Sequence, residues 1–237
     1  MTELQANDGK ALTSTTDGVE YERLPIRTHL ILAGEDLRQI IRQYAQPHLR
    51  PGDVLFVTEK IVAITQGRSM LLDDISPRPL ARFLAKYVKK TPHGIGLGMP
   101  ETMEMALQEC GTPRILLAAA VSVVSKKLLR REGDFYRIAG EKARSIDGPT
   151  AGTIPPYNQS VVLGPEHPER VATDLKVMLG GDVEVLIVDI NDIGGNILGS
   201  TLGRERNEHW RKVLADNPLG QGTQSTPIGV IREVAKG

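Results

Sequence analysis

The sequence predicts an α+β protein of mixed sheets and helices, and three observations predict it. Val54-Leu55-Phe56-Val57-Thr58 is a β-branched and aromatic run directly after the turn residues Pro51-Gly52-Asp53. Val183 to Val188 is nearly continuously apolar and ends on Asp189, the pattern of a strand covered on both faces. Three further segments carry apolar residues at helical spacing: Leu37, Ile40, Ile41 and Tyr44; Leu80, Phe83, Leu84 and Tyr87; and Val171, Leu175, Val177 and Met178.

Taken in chain order, Met1 to Gly18 is polar and rich in Thr, Asp and Gly, so residues 1–20 read as a disordered tail ahead of one domain over 21–237. Leu24 to Ala33 reads as a strand ended by Gly34, and Asp36 caps the helix that follows, which Pro47 limits. After the Val54–Thr58 strand, Pro79 opens a helix for which Lys89 and Lys90 suit the C-terminus. Glu101 to Cys110 is a second helix, stopped by Gly111 and Pro113, with a lobe boundary placed near 111. Ile115 to Val124 fits either a buried helix or a strand. Phe135 to Ala139 reads as a strand, Gly140 to Pro156 as loop, and Val161 to Leu163 as a short apolar piece. A helix from Pro168 closes at Gly180-Gly181, a Gly-rich loop follows Asp189, and Glu205 to Leu214 and Pro227 to Val234 read as a helix and a final strand.

Composition narrows the function. Lys plus Arg equals Asp plus Glu at 29 each, so no excess of positive charge favours nucleic acid or an anionic membrane as a partner. The longest apolar stretch is too short to span a bilayer. One cysteine, Cys110, forms no intramolecular disulfide and belongs with no zinc-type spacing, which fits a reducing cytoplasm. The five histidines show no i,i+4 pair, and the chain has no G-x-x-x-x-G-K-[ST] pattern. Gly94-Ile95-Gly96-Leu97-Gly98 follows a predicted helix instead of a strand, which rejects it as a dinucleotide fingerprint.

Three loci carry chemistry. Asp189 and Asp192 lie where a buried strand gives way to a polar loop, the place where α/β sheets present carboxylates to phosphates and metals. Asp147, in Ser145-Ile146-Asp147-Gly148-Pro149-Thr150, is a second loop acid; Mg2+ and Mn2+ are commonly held by only one or two carboxylates plus nucleotide phosphates and water. Thr58-Glu59-Lys60 ends a β-run, where a lysine reaches a phosphate as a point charge. Each also has an ordinary reading, as an Asx turn or cap for the acids and a solvated surface group for Lys60.

The same loci recur together elsewhere. Leu24-Pro25-Ile26-Arg27, Gly34-Glu35-Asp36-Leu37, Gly52 to Val62 and Gln66-Gly67-Arg68 resemble, in order and spacing, the opening of the coenzyme F-420 (deazaflavin) γ-glutamyl ligase family. Ala139-Gly140, Ser145-Ile146-Asp147, Pro165 to Leu179, the strand to Asp189, and Gly220-Gln221 ahead of Pro227 to Arg232 resemble its later landmarks. The resemblance implies a two-lobed fold that dimerises, and a ligase joining a carboxylate to an amino acid through an acyl phosphate with GTP (or ATP) and Mg2+ or Mn2+. It implies that Leu24, Pro25, Ile26, Arg27, Thr58, Glu59, Lys60 and Thr150 serve the nucleotide, with Lys60 catalytic. It implies Asp147 and Asp189 as metal ligands with Gln221 completing the metal or phosphate shell, and Asp192 is this chain's own further metal candidate. Two departures stand out: Thr150 replaces a usual Asn, and Asp189-Ile190-Asn191-Asp192-Ile193-Gly194-Gly195 lacks the usual hydroxyl and arginine. Against the ligase stand a non-catalytic nucleotide- or metabolite-binding protein on the same scaffold, recognised by binding without turnover, and a metal-dependent hydrolase, recognised by nucleotide consumption without an amine acceptor.

Overall fold

A computed structural model describes residues 4–88, 96–126, 133–150, 152–192, 194–220 and 222–234. The elements run β1 (Thr13–Thr16), β2 (Val19–Ile26), α1 (Leu37–Ile40), β3 (Val54–Thr58), α2 (Glu59–Thr65), β4 (Ser69–Leu71), α3 (Pro79–Ala85), α4 (Pro100–Glu109) and α5 (Thr112–Val124). They continue with α6 (Asp134–Ala139), α7 (Glu141–Arg144), β5 (Ser160–Val162), α8 (Pro168–Met178), β6 (Glu184–Asn191), β7 (Gly194–Ser200), α9 (Asn207–Val213) and β8 (Ile228–Glu233). The class is α+β, as the sequence predicts. Two compact units divide the chain, residues 1–67 with 165–237 and residues 68–164; Gly111 lies inside the second.

The first unit is built on a six-stranded sheet in the order β1-β2-β8-β3-β6-β7. Only the central pair β3 and β6 is parallel; every other pairing is antiparallel. Alternation of side chains sorts the strands into two faces. On one, Tyr21, Val54, Phe56, Leu186, Val188 and Ile231 pack with Trp210, Val213 and Leu214 of α9 and its exit. On the other lie Leu55, Val57, Val185 and Ile187, all fully buried, beneath α2 and α8. Two glycines permit this packing. A Cβ on Gly199 would stand 2.4 Å from the carbonyl of Pro168, where α8 begins, and one on Gly229 would stand 2.3 Å from the Phe56 ring.

Asp53 and Arg232 close the far end of this sheet. The carboxylate is 3 % exposed and receives Arg232 Nε at 2.8 Å and Nη2 at 2.6 Å, while Nη2 also reaches the His48 carbonyl at 3.0 Å. That two-pronged geometry fixes a planar guanidinium far better than a single contact would.

The second unit holds the β4–β5 pair and a core formed by α3 to α7, including Leu84, Leu97, Met103, Leu107, Ile115, Ala139 and Ile146. Glu104 is buried on α4 and accepts from the Arg78 amide at 3.0 Å and from Arg78 Nε at 2.9 Å. Burial alone would raise its pKa, but the bonds from Gln108 and Arg78 hold it below the ordinary carboxylate value. Glu109 behaves alike: burial works against ionisation, and Lys142 and Arg68 overcome it. Both folded carboxyls therefore bind protons less readily than in the unfolded chain. Their contribution to stability is complete above the unfolded value of about 4.3 and is lost as pH falls through the lower folded values. Urea midpoints measured from about pH 6 to pH 3 should fall, and Glu104→Gln should flatten that fall; an unchanged slope in the variant would refute the assignment.

Several elements differ from the sequence reading. Thr13–Thr16, inside the expected disordered tail, is a strand. Asp17 and Gly18, at φ 52° and 82°, form the left-handed two-residue turn that pairs it with β2. The strand expected at Leu24–Ala33 begins earlier and ends at Ile26, where its pairing with β8 runs out. Phe135–Ala139 is helical: Gly133 and Gly140, at φ 91° and 92°, bound the segment at either end. The Ile115–Val124 run resolves as helix, yet only Ile115 and Ala118 are buried within it, and Leu117 and Val124 are more than half exposed. The Gly-rich loop expected after Asp189 is instead strand β7, paired as a hairpin with a β6 that continues to Asn191. Lys89, Lys90, Gly94 and Ile95 lie outside the described residues.

Candidate functional site at the carboxyl rim of the parallel pair

Because β3 and β6 are parallel, their carboxyl ends meet at one rim of the sheet, with Thr58 level with Val188 and Asp189 one residue beyond. The antiparallel neighbours bring their opposite ends there. Ile26 at the end of β2 is level with Ile228 at the start of β8, and the Thr58 amide donates to the Pro227 carbonyl at 3.0 Å. The Thr28 amide donates to the Ser225 carbonyl at 2.9 Å, fastening the β2 exit to the loop before β8. Arg27, Thr58-Glu59-Lys60 and Asp189, remote in sequence, thus share one edge. Ligands of open α/β sheets are bound at such carboxyl ends.

The rim residues differ in what they expose. Leu24 and Ile26 are 8 % and 2 % exposed and Pro25 is also buried, so these side chains belong to the sheet's interior packing, while Arg27 emerges into solvent. Thr58 is the last residue of β3 and the N-cap of α2; Glu59 and Lys60 form the first turn of that helix, and all three are half-buried. The Thr58 hydroxyl and the Lys60 ammonium on this short strand-to-helix turn can meet an anion, with the Glu59 carboxylate between them in sequence.

Asp189 is half-buried opposite Asn196. Just before it the register slips between Ile187 and Val188, leaving Leu198 as the extra residue of a bulge on β7. Bulges at strand ends re-aim the side chains next to them. By alternation Asp189 lies on the face of Val185 and Ile187, which α2 and α8 cover, whereas Ile190 packs on the opposite, Trp210 face. Asp192 belongs to that opposite side. Its Oδ1 accepts from Lys10 Nζ at 2.7 Å and from Asn217 Nδ2 at 3.1 Å. The bond from Lys10 is the main cause holding this carboxyl below its usual value. The structure therefore does not bring Asp192 to Asp189, although they are three residues apart.

Asp147 lies in the second unit, where its backbone forms an isolated bridge beside β5, donating to the Val162 carbonyl at 2.8 Å and accepting from the Val162 amide at 2.9 Å. Its side chain is half-buried. Thr150 is exposed, its hydroxyl 3.4 Å from the Gly148 carbonyl. Gln221 lies outside the described residues. Among the described residues no three His, Cys, Asp or Glu side chains gather as a metal cage. A single carboxylate such as Asp189 at the rim is of the oxygen-donor type that holds Mg2+ or Mn2+ together with substrate phosphates and water.

Sequence reasoning missed Asn7, Lys10, Arg23 and Asn217, which organise the loops beside this rim. The bonds of Asn7 to Leu219, Lys10 to Asp192 and Arg23 to Asp216 span 180 residues or more, and that of Asn217 to Asp192 spans 25, with no local signal beyond polarity. Among the described residues, no helix is long and apolar enough to cross a membrane.

The fold and rim define an α+β protein with a hydroxyl, a lysine and a carboxylate at the carboxyl ends of a parallel strand pair. The chain belongs to the F420-0:gamma-glutamyl ligase family, whose model matches residues 25–198. It is similar to the coenzyme F420:L-glutamate ligase of Methanopyrus kandleri, with 28 % identity over 162 residues, covering 66 % of this chain and 54 % of that one. The chain thus spans about half the length of the curated relative it matches.

Proposed function

We propose that this protein is a γ-glutamyl-type ligase that uses GTP or ATP to join a small carboxylate substrate to an amino acid, L-glutamate in the named relative. The observation that carries the reading is the meeting of Thr58-Glu59-Lys60 with Asp189 at one rim, inside the residues that match the family. A carboxylate is a poor electrophile. In the proposed route its oxygen takes the nucleotide's terminal phosphoryl group, giving an acyl phosphate and a nucleoside diphosphate. The amino acid's amine then attacks the acyl carbon, the C–O bond to phosphate breaks, and amide, phosphate and a proton leave.

Lys60 would donate to the terminal phosphate, where a fixed positive charge best offsets charge spreading over the transferring oxygens. The Thr58 hydroxyl and the Arg27 guanidinium would orient the same phosphates. Asp189 of the first unit and Asp147 of the second are each, taken separately, a proposed carboxylate ligand of Mg2+ or Mn2+. Bound there, the ion would neutralise phosphate charge and orient the phosphoryl group. Roles for Thr150 and Gln221 rest on the resemblance alone. A cytoplasmic homodimer is the setting proposed for this activity.

Calorimetry of the purified protein with GTP and with ATP, each with and without Mn2+, tests the reading directly. Metal-dependent binding is expected, weakened about tenfold or more by Asp189→Ala and by Asp147→Ala, the usual scale for losing a ligand or its support. If neither substitution weakens it, the site is wrong. Nucleoside diphosphate release that requires an amino acid supports the ligase; release without any amine would instead favour hydrolysis.

A further inference from the structure

The family match begins at residue 25 and ends at residue 198, yet residues on either side of it meet at the same rim. Asn7 is buried, and its Nδ2 lies 2.8 Å from the Leu219 carbonyl, 2.7 Å from Thr226 Oγ1 and 3.4 Å from the Pro218 carbonyl. Lys10 Nζ reaches Asp192 Oδ1 at 2.7 Å and the Asp216 carbonyl at 2.9 Å, with its side chain 17 % exposed. One ammonium therefore links the tip of the β6–β7 hairpin to the start of the loop leading into β8. Asn217, 1 % exposed, adds its own bond to Asp192.

That loop has internal bonds, Gly220 amide to Asn217 carbonyl and Thr226 Oγ1 to Leu219 carbonyl at 3.0 Å each, and a tie to the β2 exit, Thr28 amide to Ser225 carbonyl. Asn217, Gly220 and Ser225 occupy left-handed backbone at φ 51°, 69° and 54°, and no helix or strand is formed between Asn217 and Pro227 among the described residues. We propose that residues 7–16 are a clasp: Asn7 and Lys10 are positioning residues that hold residues 216–220, Thr226 and Asp192 in place beside the rim, Lys10 acting through Asp192. Asp192 is then an anchor and not a metal ligand. An exposed ion pair contributes little to global stability, so the clasp's effect falls on the position of the loop it fastens.

The inference rests on the ligase reading for the choice of ligand alone, and hydrogen exchange separates the two. In Asn7→Ala, amides of 216–226 should exchange about tenfold faster, the scale of one lost buried hydrogen bond, and the Kd for GTP with Mn2+ should rise at least about threefold. Lys10→Met should speed exchange in 190–196 and 216–226 about two- to fivefold. Asp192→Asn should match it, the double variant should add nothing further, and Lys10→Arg should restore the wild-type rate. Unchanged exchange in both Asn7→Ala and Lys10→Met overturns the clasp, and so does faster exchange with a wild-type Kd. A rise in the Mn2+ needed by Asp192→Asn but not by Lys10→Met would return Asp192 to the metal. If the wild type binds no nucleotide, the ligase reading falls and exchange alone decides the clasp.

Discussion

Arg23→Met should lower stability by about 3 kcal/mol. Arg23 is 1 % exposed. Its guanidinium donates to the carbonyls of Ala11 and Thr13 at 2.9 Å each and of Val213 at 3.1 Å, and it pairs with Asp216. Removing it leaves three acceptors short of a donor, at about 1 kcal/mol each once partial hydration is allowed. The ion pair itself adds little, because Asp216 is 48 % exposed and stays solvated when its partner goes. One term opposes the loss: Arg23 Nε is buried without a hydrogen bond among the described residues, and methionine removes that cost. In a chain of this length about 3 kcal/mol corresponds to a fall in Tm of roughly 10 °C. Thermal and urea unfolding would check it; a loss under about 1 kcal/mol would show that the guanidinium is not the tie between β1, β2 and the α9 exit. Arg23→Lys should lose less than methionine does but should not recover fully, since an ammonium cannot reach carbonyls on both sides as the planar fork does.

What the sequence disclosed and what it hid divide along the range of the interactions. β3, α8, β6 and β8 are legible because each is bounded by its own punctuation: Pro51-Gly52 before β3, Pro168 and Gly180-Gly181 around α8, Pro227 before β8. At α6 local preference and structure diverge: Phe135, Tyr136 and Ile138 favour strands locally, while packing against α5 and bounding by two left-handed glycines decide for helix. β1 carried a signal in Asp17-Gly18 that polarity around it obscured. At the site, Thr58 and Asp189 were each visible as strand ends, but their adjacency follows from a parallel pairing across some 130 residues that periodicity cannot report. The opposite orientation of Asp192 depends on where β6 stops, and that is set by β7, whose glycines carry the local signature of a loop. The clasp contacts were beyond reach for the same reason.

Lys60→Met should lower the rate of the proposed ligation about 10²- to 10³-fold while leaving the protein folded. Lys60 lies in the first turn of α2, half-buried at the rim, so replacing it with an unbranched side chain of similar length keeps the packing of its stem. What disappears is the positive charge proposed to meet the transferring phosphoryl group. Removing one such donor from a preorganised site costs on the order of 3–4 kcal/mol of transition-state stabilisation. The distribution of the loss is diagnostic. If Lys60 binds phosphate equally in ground and transition states, KM for the nucleotide rises and kcat holds; if it acts on charge that develops during transfer, kcat falls and KM changes little. The second outcome is expected. Lys60→Arg should recover little, because a guanidinium spreads its charge over a wide planar fork where a compact ammonium is needed. Steady-state release of nucleoside diphosphate with saturating amino acid and Mn2+ would measure both constants. Activity within about threefold of wild type in Lys60→Met would remove the lysine from the mechanism, and the phosphate would then have to be held by Arg27, Thr58 and the bound metal alone.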